Sequence, residues 1–462
     1  MSSQAITIPK GEHFFCHDRE FYSKFIKMCL LVVFQNVITY SVNMADNLML
    51  GAYSQNALSG AAAINQVQYL LQTIVVNSVG QTIMIIGSQH WGKQDTDYIQ
   101  KLTGISLIFS LVCGAVLTFF AFFTPESLAG IFTNNPAILD EAISYLSIMR
   151  YTYLVFIITN VLIAGLRCAQ IVSVAFQLTV VSLFVNVGIN YCLIFGHFGC
   201  PRLGIIGAAI GTLTARILEL VILLIYIAKG KRLPFRFNPR IMFDLDASML
   251  PNYFKVGIPF LISQSLFSIS VAMQTVVFGH MSADAIAANS VASTMYQYCK
   301  MIPMGVSAAT SALIGEAIGT RAWHKLREYV HSFQLIYIGV AIVSGILYVS
   351  ISNVLINYYD LTPEATALAK EMFVVLTVII MACSYQSPCL IGIIAGGGDS
   401  SFVMKNDIAY AGCFTIPAVL IGALVLHLGP IPLVILMNID QVIKCISNGI
   451  KTNRYTWIKA WD

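Results

Sequence analysis

Apolar residues gather in twelve long runs with short polar links between them. The runs lie near 22–50, 57–88, 101–123, 140–166, 173–195, 205–228, 251–279, 285–318, 329–352, 364–394, 402–425 and 431–450. A helix needs about 20 apolar residues to cross a bilayer, and each run is near or above that length. The pattern predicts an all-α polytopic membrane protein with twelve transmembrane helices.

Composition agrees. Hydrophobic residues make up 57% of the chain and charged residues 10%, against roughly 25% charged in a soluble domain. Mean hydropathy is +0.76. At this polarity the 462 residues are too many for one aqueous core. A net charge of +4 carries little information about nucleic acid, which is not an expected partner. The first twenty residues, with "GEHFFCHDRE", lack the features of a cleaved secretory signal. The first helix is therefore expected to remain in the mature protein. The eleven cysteines are scattered without metal-ligand spacing and read as small buried hydrophobes.

The basic residues give an orientation. Twelve crossings put both termini on one side. Lys24, Lys27, Lys93, Lys101, Arg167, Arg321, Lys325, Arg327, Lys405, Lys451, Arg454 and Lys459 fall at the termini and in the even-numbered links. The longest internal link, "AKGKRLPFRFNPR", adds Lys229, Lys231, Arg232, Arg236 and Arg240. The odd-numbered links hold Arg202 and little else. The positive-inside rule then makes the termini and the central link cytoplasmic, in a cell (inner) membrane.

The central link also separates two similar halves. "LGAYSQNALSGAAAI" at 50–64 resembles "FGHMSADAIAANSVA" at 278–292, and "LRCAQIVSVAF" at 166–176 faces "IAGGGDSSFVM" at 394–404, both offset by 228. Six helices per half is an even number, so the halves insert in the same direction. Many secondary transporters share such a repeat and bind substrate between the halves. The expected division is an N-terminal lobe at 1–228, a cytoplasmic linker at 229–250 and a C-terminal lobe at 251–462.

"MADNLMLG" in the first helix, "FVNVGINYCLIFGHFGCPRLGIIGAAIGT" through helices five and six, and "GGGDSSF" before helix eleven resemble the multidrug and toxic compound extrusion (MATE) family. The resemblance covers nearly the whole chain. It implies two six-helix lobes and antiport of a bulky, often cationic organic compound against H⁺ or Na⁺. One branch of that family has a glutamate in helix seven and an aspartate in helix ten. Here those helices read "GIPFLISQSLFSIS", with Gln264, and "CSYQSPCLIG".

Asp46 is the first candidate for chemistry. A carboxylate inside a membrane helix costs a few kcal/mol on insertion scales and marks function by default. Its repeat partner is the neutral Gln274. Asn36, Thr39, Asn43 and Asp46 share one helical face. The simpler alternative is a position near the outer helix end, since Asp46 lies about 28 Å along the axis from Lys27 at roughly 1.5 Å per residue. Asn186 and Asn190 are four apart in helix five, on a stripe with Thr179 and Ser182. By similarity to the family's first-lobe cation site, Asp46, Asn186, Asn190 and Thr212 form the expected coupling set. With Na⁺ as the ion, Asp46, Asn186 and Asn190 would be its ligands. An apolar surround disfavours an ionised carboxylate, so Asp46 could gain a proton outside and lose it inside.

The second lobe offers Lys300, Asp407 and Asp440. Lys300 could pair with either acid, one acid could be a second protonation site, and Asp440 with Lys444 could be an i,i+4 pair. Arg216 and Glu219 are expected to pair structurally. Asn43, Gln68, Gln72, Gln274, Tyr385 and Gln386 are candidates for the substrate cavity, where aromatic and amide groups suit a flat organic cation. "GSQHWGKQ" at 87–94 comes close to a phosphate-binding loop, but Gln94 stands where Ser or Thr is required and the stretch follows a membrane helix. No ATP site, cofactor or enzymatic activity is expected, and no obligate protein partner. The expected partners are the bilayer, small organic substrates and H⁺ or Na⁺. The competing reading is a flippase or exporter of a lipid-linked or other large amphiphilic substrate.

Overall fold

The computed structural model describes residues 13–133, 135–229, 237–244, 246–358 and 362–460. Lys231, Arg232 and Arg236 of the central link lie outside the described residues. All regular structure in the described residues is helical. Eleven helices among them are long and apolar enough to cross a membrane, and a bent pair supplies a twelfth crossing. In order these are α1 Arg19–Tyr53, α2 Gln55–Gly92, α3 Thr96–Phe123, α4 Pro136–Met149 with Thr152–Cys168, α5 Ser173–Phe195 and α6 Ile205–Lys229. Then follow α7 Ala247–Gly279, α8 Ala283–Gly319, α9 Trp323–Ser352, α10 Pro363–Ala395, α11 Ser400–Leu424 and α12 Pro430–Arg454. Each coincides with one of the twelve apolar runs. The two parts of α4 meet at 52°.

Local chemistry fixes the helix ends. Ser54 caps α2 by accepting from Ala57 N at 3.5 Å, and Ser282 caps α8 by accepting from Ala285 N at 3.3 Å. These two serines occupy equivalent places at the offset of 228. Asn135 with Pro136 opens α4, and Thr362 with Pro363 opens α10, in each case a capping side chain followed by proline at N1. Gly196, at φ +78°, stops α5 in the left-handed conformation. Three spans contain a π segment: Thr73–Val79 in α2, Pro388–Ala395 in α10 and Ile408–Thr415 in α11.

The spans form two compact units. The N-terminal unit is Phe34–Gly87 with Asp95–Leu250, and the C-terminal unit is Met1–Val33, Ser88–Gln94 and Pro251–Asp462. The start of α1 and the end of α2 thus belong with the C-terminal helices. Aromatic packing accounts for this at α1: Phe21 stacks on Tyr329 with centroids 4.2 Å apart, and Phe25 tilts against Phe333 at 5.3 Å. The core of the C-terminal unit joins Phe278, Ala292, Tyr348, Met372, Ile380 and Leu433 from five spans. Many large apolar side chains point outward, among them Phe123, Phe184, Val374, Leu424 and Ile446 at 69–72% exposure. Such a surface suits lipid tails, and helices suit them too, because every backbone polar group is satisfied within the segment.

Candidate functional site

In the N-terminal unit α1, α5 and α6 bring one carboxylate, two asparagines and a threonine together. Asn190 Nδ2 donates to Asp46 Oδ1 at 2.6 Å and to Asn186 Oδ1 at 3.2 Å. Asn186 Nδ2 donates on to Thr212 Oγ1 at 3.3 Å. The sequence "GAAIGT" makes the contact possible. A Cβ on Gly207 would press on the backbone of Leu193, and one on Gly211 would collide with Asn190 Oδ1. Only glycine at these positions lets α6 approach α5 so closely. Asn186 and Asn190 are buried, while Asp46 and Thr212 are half-buried. The four residues expected from the sequence are therefore neighbours. Thr39, on the same face of α1, returns its hydroxyl to the Gln35 carbonyl at 2.9 Å.

A cavity of about 50 Å³ adjoins the cluster, bordered by Asn43, Asp46, Gln68, Tyr145, Thr212 and Arg216 among others. That is room for a few water molecules or one small ion, and far below the hundreds of Å³ of an organic-ligand pocket. Asn43 and Gln68, grouped by sequence with the substrate cavity, belong to this small one, and Gln72 is exposed. Two buried amide oxygens, Asn190 Oδ1 and Gln68 Oε1, have no hydrogen-bond partner among the described residues. One carboxylate with amide and hydroxyl oxygens suits a weakly held hard cation, or a carboxyl group that takes and gives a proton. No cluster of three or more His, Cys, Asp or Glu suited to a metal occurs among the described residues.

Arg216 is a cavity residue that the coupling set omits. It pairs with Glu219 at 3.1 Å, three residues along α6, and lies 5.2 Å from the Phe156 ring centre. Its signal in the sequence is the opposite-charge pair in an otherwise apolar helix. Arg150, at the bend of α4, lies 4.2 Å from the Phe122 ring centre.

The C-terminal unit holds a different cluster on the equivalent helices. Lys444 Nζ lies 2.8 Å from Asp407 Oδ1 and 2.9 Å from Asp440 Oδ2. Ser263 of α7 donates to Asp407, and Gln441 donates to Asp440 at 3.0 Å. At the offset of 228, Asp440 and Lys444 correspond to Thr212 and Arg216. Of the alternatives open for these residues, the i,i+4 pair of Asp440 with Lys444 forms, and a pairing of Lys300 with an aspartate does not. Lys444 reaches both acids first, and Lys300 Nζ lies 4.4 Å from the Phe267 ring centre instead. Among the remaining candidates, Gln274 is half-buried. Tyr385 donates to Gln334 at 3.4 Å, and the buried Gln386 donates to Gln441 at 2.6 Å.

Comparison with known proteins bears on the whole chain. The MatE family model matches residues 32–192 and 259–421, two stretches set about 228 residues apart. A probable multidrug resistance protein NorM of Thermotoga maritima is 26% identical over 355 residues, covering 76% of this chain and 75% of that protein. The uncharacterized transporter YisQ of Bacillus subtilis is 22% identical, covering 78% of each. The crystal structure of the Vibrio cholerae MATE transporter VcmN superposes with a TM-score of 0.82 at 16% identity, over 94% of this chain and 97% of that one. The paired family matches, the twelve crossings and the shared fold together place the chain in the MATE family, as a multi-pass membrane transporter and not an enzyme.

Proposed function

We propose that this chain exports organic, cationic compounds across the cell membrane by antiport with H⁺ or Na⁺, with Asp46 as the coupling carboxylate. The observation that carries the reading is the 2.6 Å bond from Asn190 to Asp46 beside a cavity of ion size. The names of relatives such as NorM, a probable multidrug resistance protein, support the substrate class. No cofactor takes part, and the coupling ion is cargo. With the termini cytoplasmic, compounds leave the cytoplasm as the ion enters.

The cluster has one negative charge that an entering ion can neutralise. With Asp46 charged, Asn190 holds it and ties α1 to α5. With Asp46 neutralised, that bond weakens and the amide can turn to Asn186. Ion and compound exchange if they favour opposite-facing conformations, since a ligand shifts such an equilibrium only by its differential affinity. The test is uptake of ethidium, a flat fluorescent cation, into proteoliposomes under an imposed pH or Na⁺ gradient. Gradient-driven movement in wild type and its loss in Asp46→Asn is the expected result. Equal movement in both would overturn the role of Asp46.

A further inference from the structure

Hydroxyls in helices often bond back to the carbonyl four residues earlier. Thr82, Thr103, Thr159 and Thr179 of the N-terminal unit do so at 2.8–2.9 Å. Five others in the same unit do not. Thr73, Ser106, Ser110, Thr118 and Tyr153 are at most 9% exposed, and their hydroxyls have no partner among the described residues. Ser106 and Ser110 are fully buried at 0%. A buried polar group without a partner is unfavourable, and packing alone would be served as well by alanine. Such groups are usually satisfied by buried water.

Their placement is orderly. On α3, Thr103, Ser106, Ser110 and Thr118 follow at spacings that keep them on one face, with Gly114 in the same row. The row spans about 22 Å at roughly 1.5 Å per residue. Glycine contacts give its surroundings. Gly114 faces Leu71 of α2 and Ile157 of α4, Gly165 of α4 faces the Thr103 hydroxyl, and Gly87 of α2 faces Leu102. The row therefore lies inside the unit, between α2 and α4. On α2, Gln68 lies three residues before Leu71 and Thr73 two after it. Gln68 borders the Asp46 cavity with an unpartnered oxygen. From Thr73 to Val79 α2 is a π turn, a distortion common at functional sites.

We propose that this row is a water-bearing proton path joining the Asp46 cavity to the cytoplasmic end of the unit. The proposal rests on the reading of Asp46 as the coupling group and selects H⁺ as the ion. A hydroxyl both donates and accepts. At each oxygen one O–H bond forms as another breaks, so a proton passes with no net change in the oxygens, and each hydroxyl or water then turns back to take the next. Sodium needs several oxygens at every stage, and the row offers one or two. The charged groups near the path are Arg216 with Glu219 at the cavity, Arg150 at the α4 bend, and two contacts toward the cytoplasmic end. These are Arg167, bonded to Gln35 at 2.7 Å, and Lys101 with Asp244 at 2.8 Å.

Threonine and valine have nearly the same shape and differ by one hydroxyl, so Ser110→Thr and Ser110→Val form a matched pair. Both would be reconstituted beside Ser106→Ala, Asp46→Asn and wild type. Proton release on mixing with ethidium would be followed by stopped flow with a pH dye, and ethidium affinity by fluorescence. Release about tenfold slower in Ser110→Val and Ser106→Ala than in Ser110→Thr, at unchanged affinity, is expected. Equal release in all three would overturn the path and leave the Asp46 reading intact. So would wild-type transport driven by Na⁺ alone. Gradient-driven transport persisting in Asp46→Asn would instead remove the reading on which the path rests.

Discussion

Lys444 Nζ sits 2.8 Å from Asp407 and 2.9 Å from Asp440, so one ammonium on α12 serves two carboxylates on two helices. All three side chains are at most 16% exposed. Removing one partner of a buried ion pair leaves an uncompensated charge and costs about 3–5 kcal/mol. Lys444→Met is expected to destabilise the protein by that order, because two acids would then face each other. The triple variant Lys444→Met with Asp407→Asn and Asp440→Asn should recover most of the loss. Thermal unfolding of the purified proteins in detergent checks both. A triple variant no more stable than the single one would mean that the loss in Lys444→Met does not come from charge left unpaired on the two acids.

Gly211 is the hinge of the N-terminal cluster's geometry. A methyl group there meets Asn190 Oδ1, so Gly211→Ala must push α6 from α5 or turn the amide away from Asp46. The expected outcome is a folded protein with at least about a tenfold loss of gradient-driven transport, close to that of Asn190→Ala. Enlarging Gly188, which has open space around it, should leave transport near wild type. Measuring the three variants in one proteoliposome assay separates a local clash from general sensitivity to added bulk on these helices.

Much of this was legible in the sequence. Apolar run length alone located every crossing, because the bilayer sets one length scale. Asp46, Asn186 and Asn190 stood out because a polar side chain in an apolar helix is conspicuous and its spacing gives its face, while it was the resemblance to the MATE family that joined them with Thr212 into one set. Partner choice was harder. Lys300 looked available for Asp407 or Asp440, yet Lys444 takes both. The i,i+4 spacing offered Asp440 to Lys444, but nothing in a linear pattern tells that Asp407, on another helix, will face that same lysine. Ser263 was hidden for a similar reason, as a serine among several in α7. The affiliation of α1 residues up to Val33 with the C-terminal unit depends on Phe21 and Phe25 finding Tyr329 and Phe333, contacts some 300 residues apart along the chain. The buried hydroxyl row was legible as a spacing but not as a set of unpaired groups.

Ser54 and Ser282 test the repeat energetically. Both cap the helix that follows, at equivalent places in the two halves. Loss of a serine cap costs about 1 kcal/mol. Ser54→Ala and Ser282→Ala should therefore each lower stability by a similar small amount, and the double variant by their sum, since each serine caps its own helix and the two share no partner. Thermal unfolding of the four proteins gives the comparison. A large excess in the double variant would mean that the two turns are coupled.

Asp399, in the "GGGDSSF" stretch, holds the C-terminal tail. It caps α11 by accepting from Phe402 N at 3.3 Å. Its carboxylate also meets Lys451 at 3.0 Å and Lys459 at 2.6 Å. Beside it Lys459 N donates to the Gly397 carbonyl at 2.8 Å. Trp457, fully buried, lies where a Cβ on Gly397 would have to go. Gly397 thus makes room for an indole ring, and the aspartate binds the lysine two residues beyond it. Asparagine can still cap the helix but cannot pair with two lysines, so Asp399→Asn isolates the ionic part. Its expected effect is a loosened tail, read as faster trypsin cleavage after Lys451 and Arg454. Gly397→Ala should expose the tail more strongly by displacing Trp457. Cleavage at the wild-type rate in both variants would show that neither the lysine pairs of Asp399 nor the seat of Trp457 against Gly397 holds the tail.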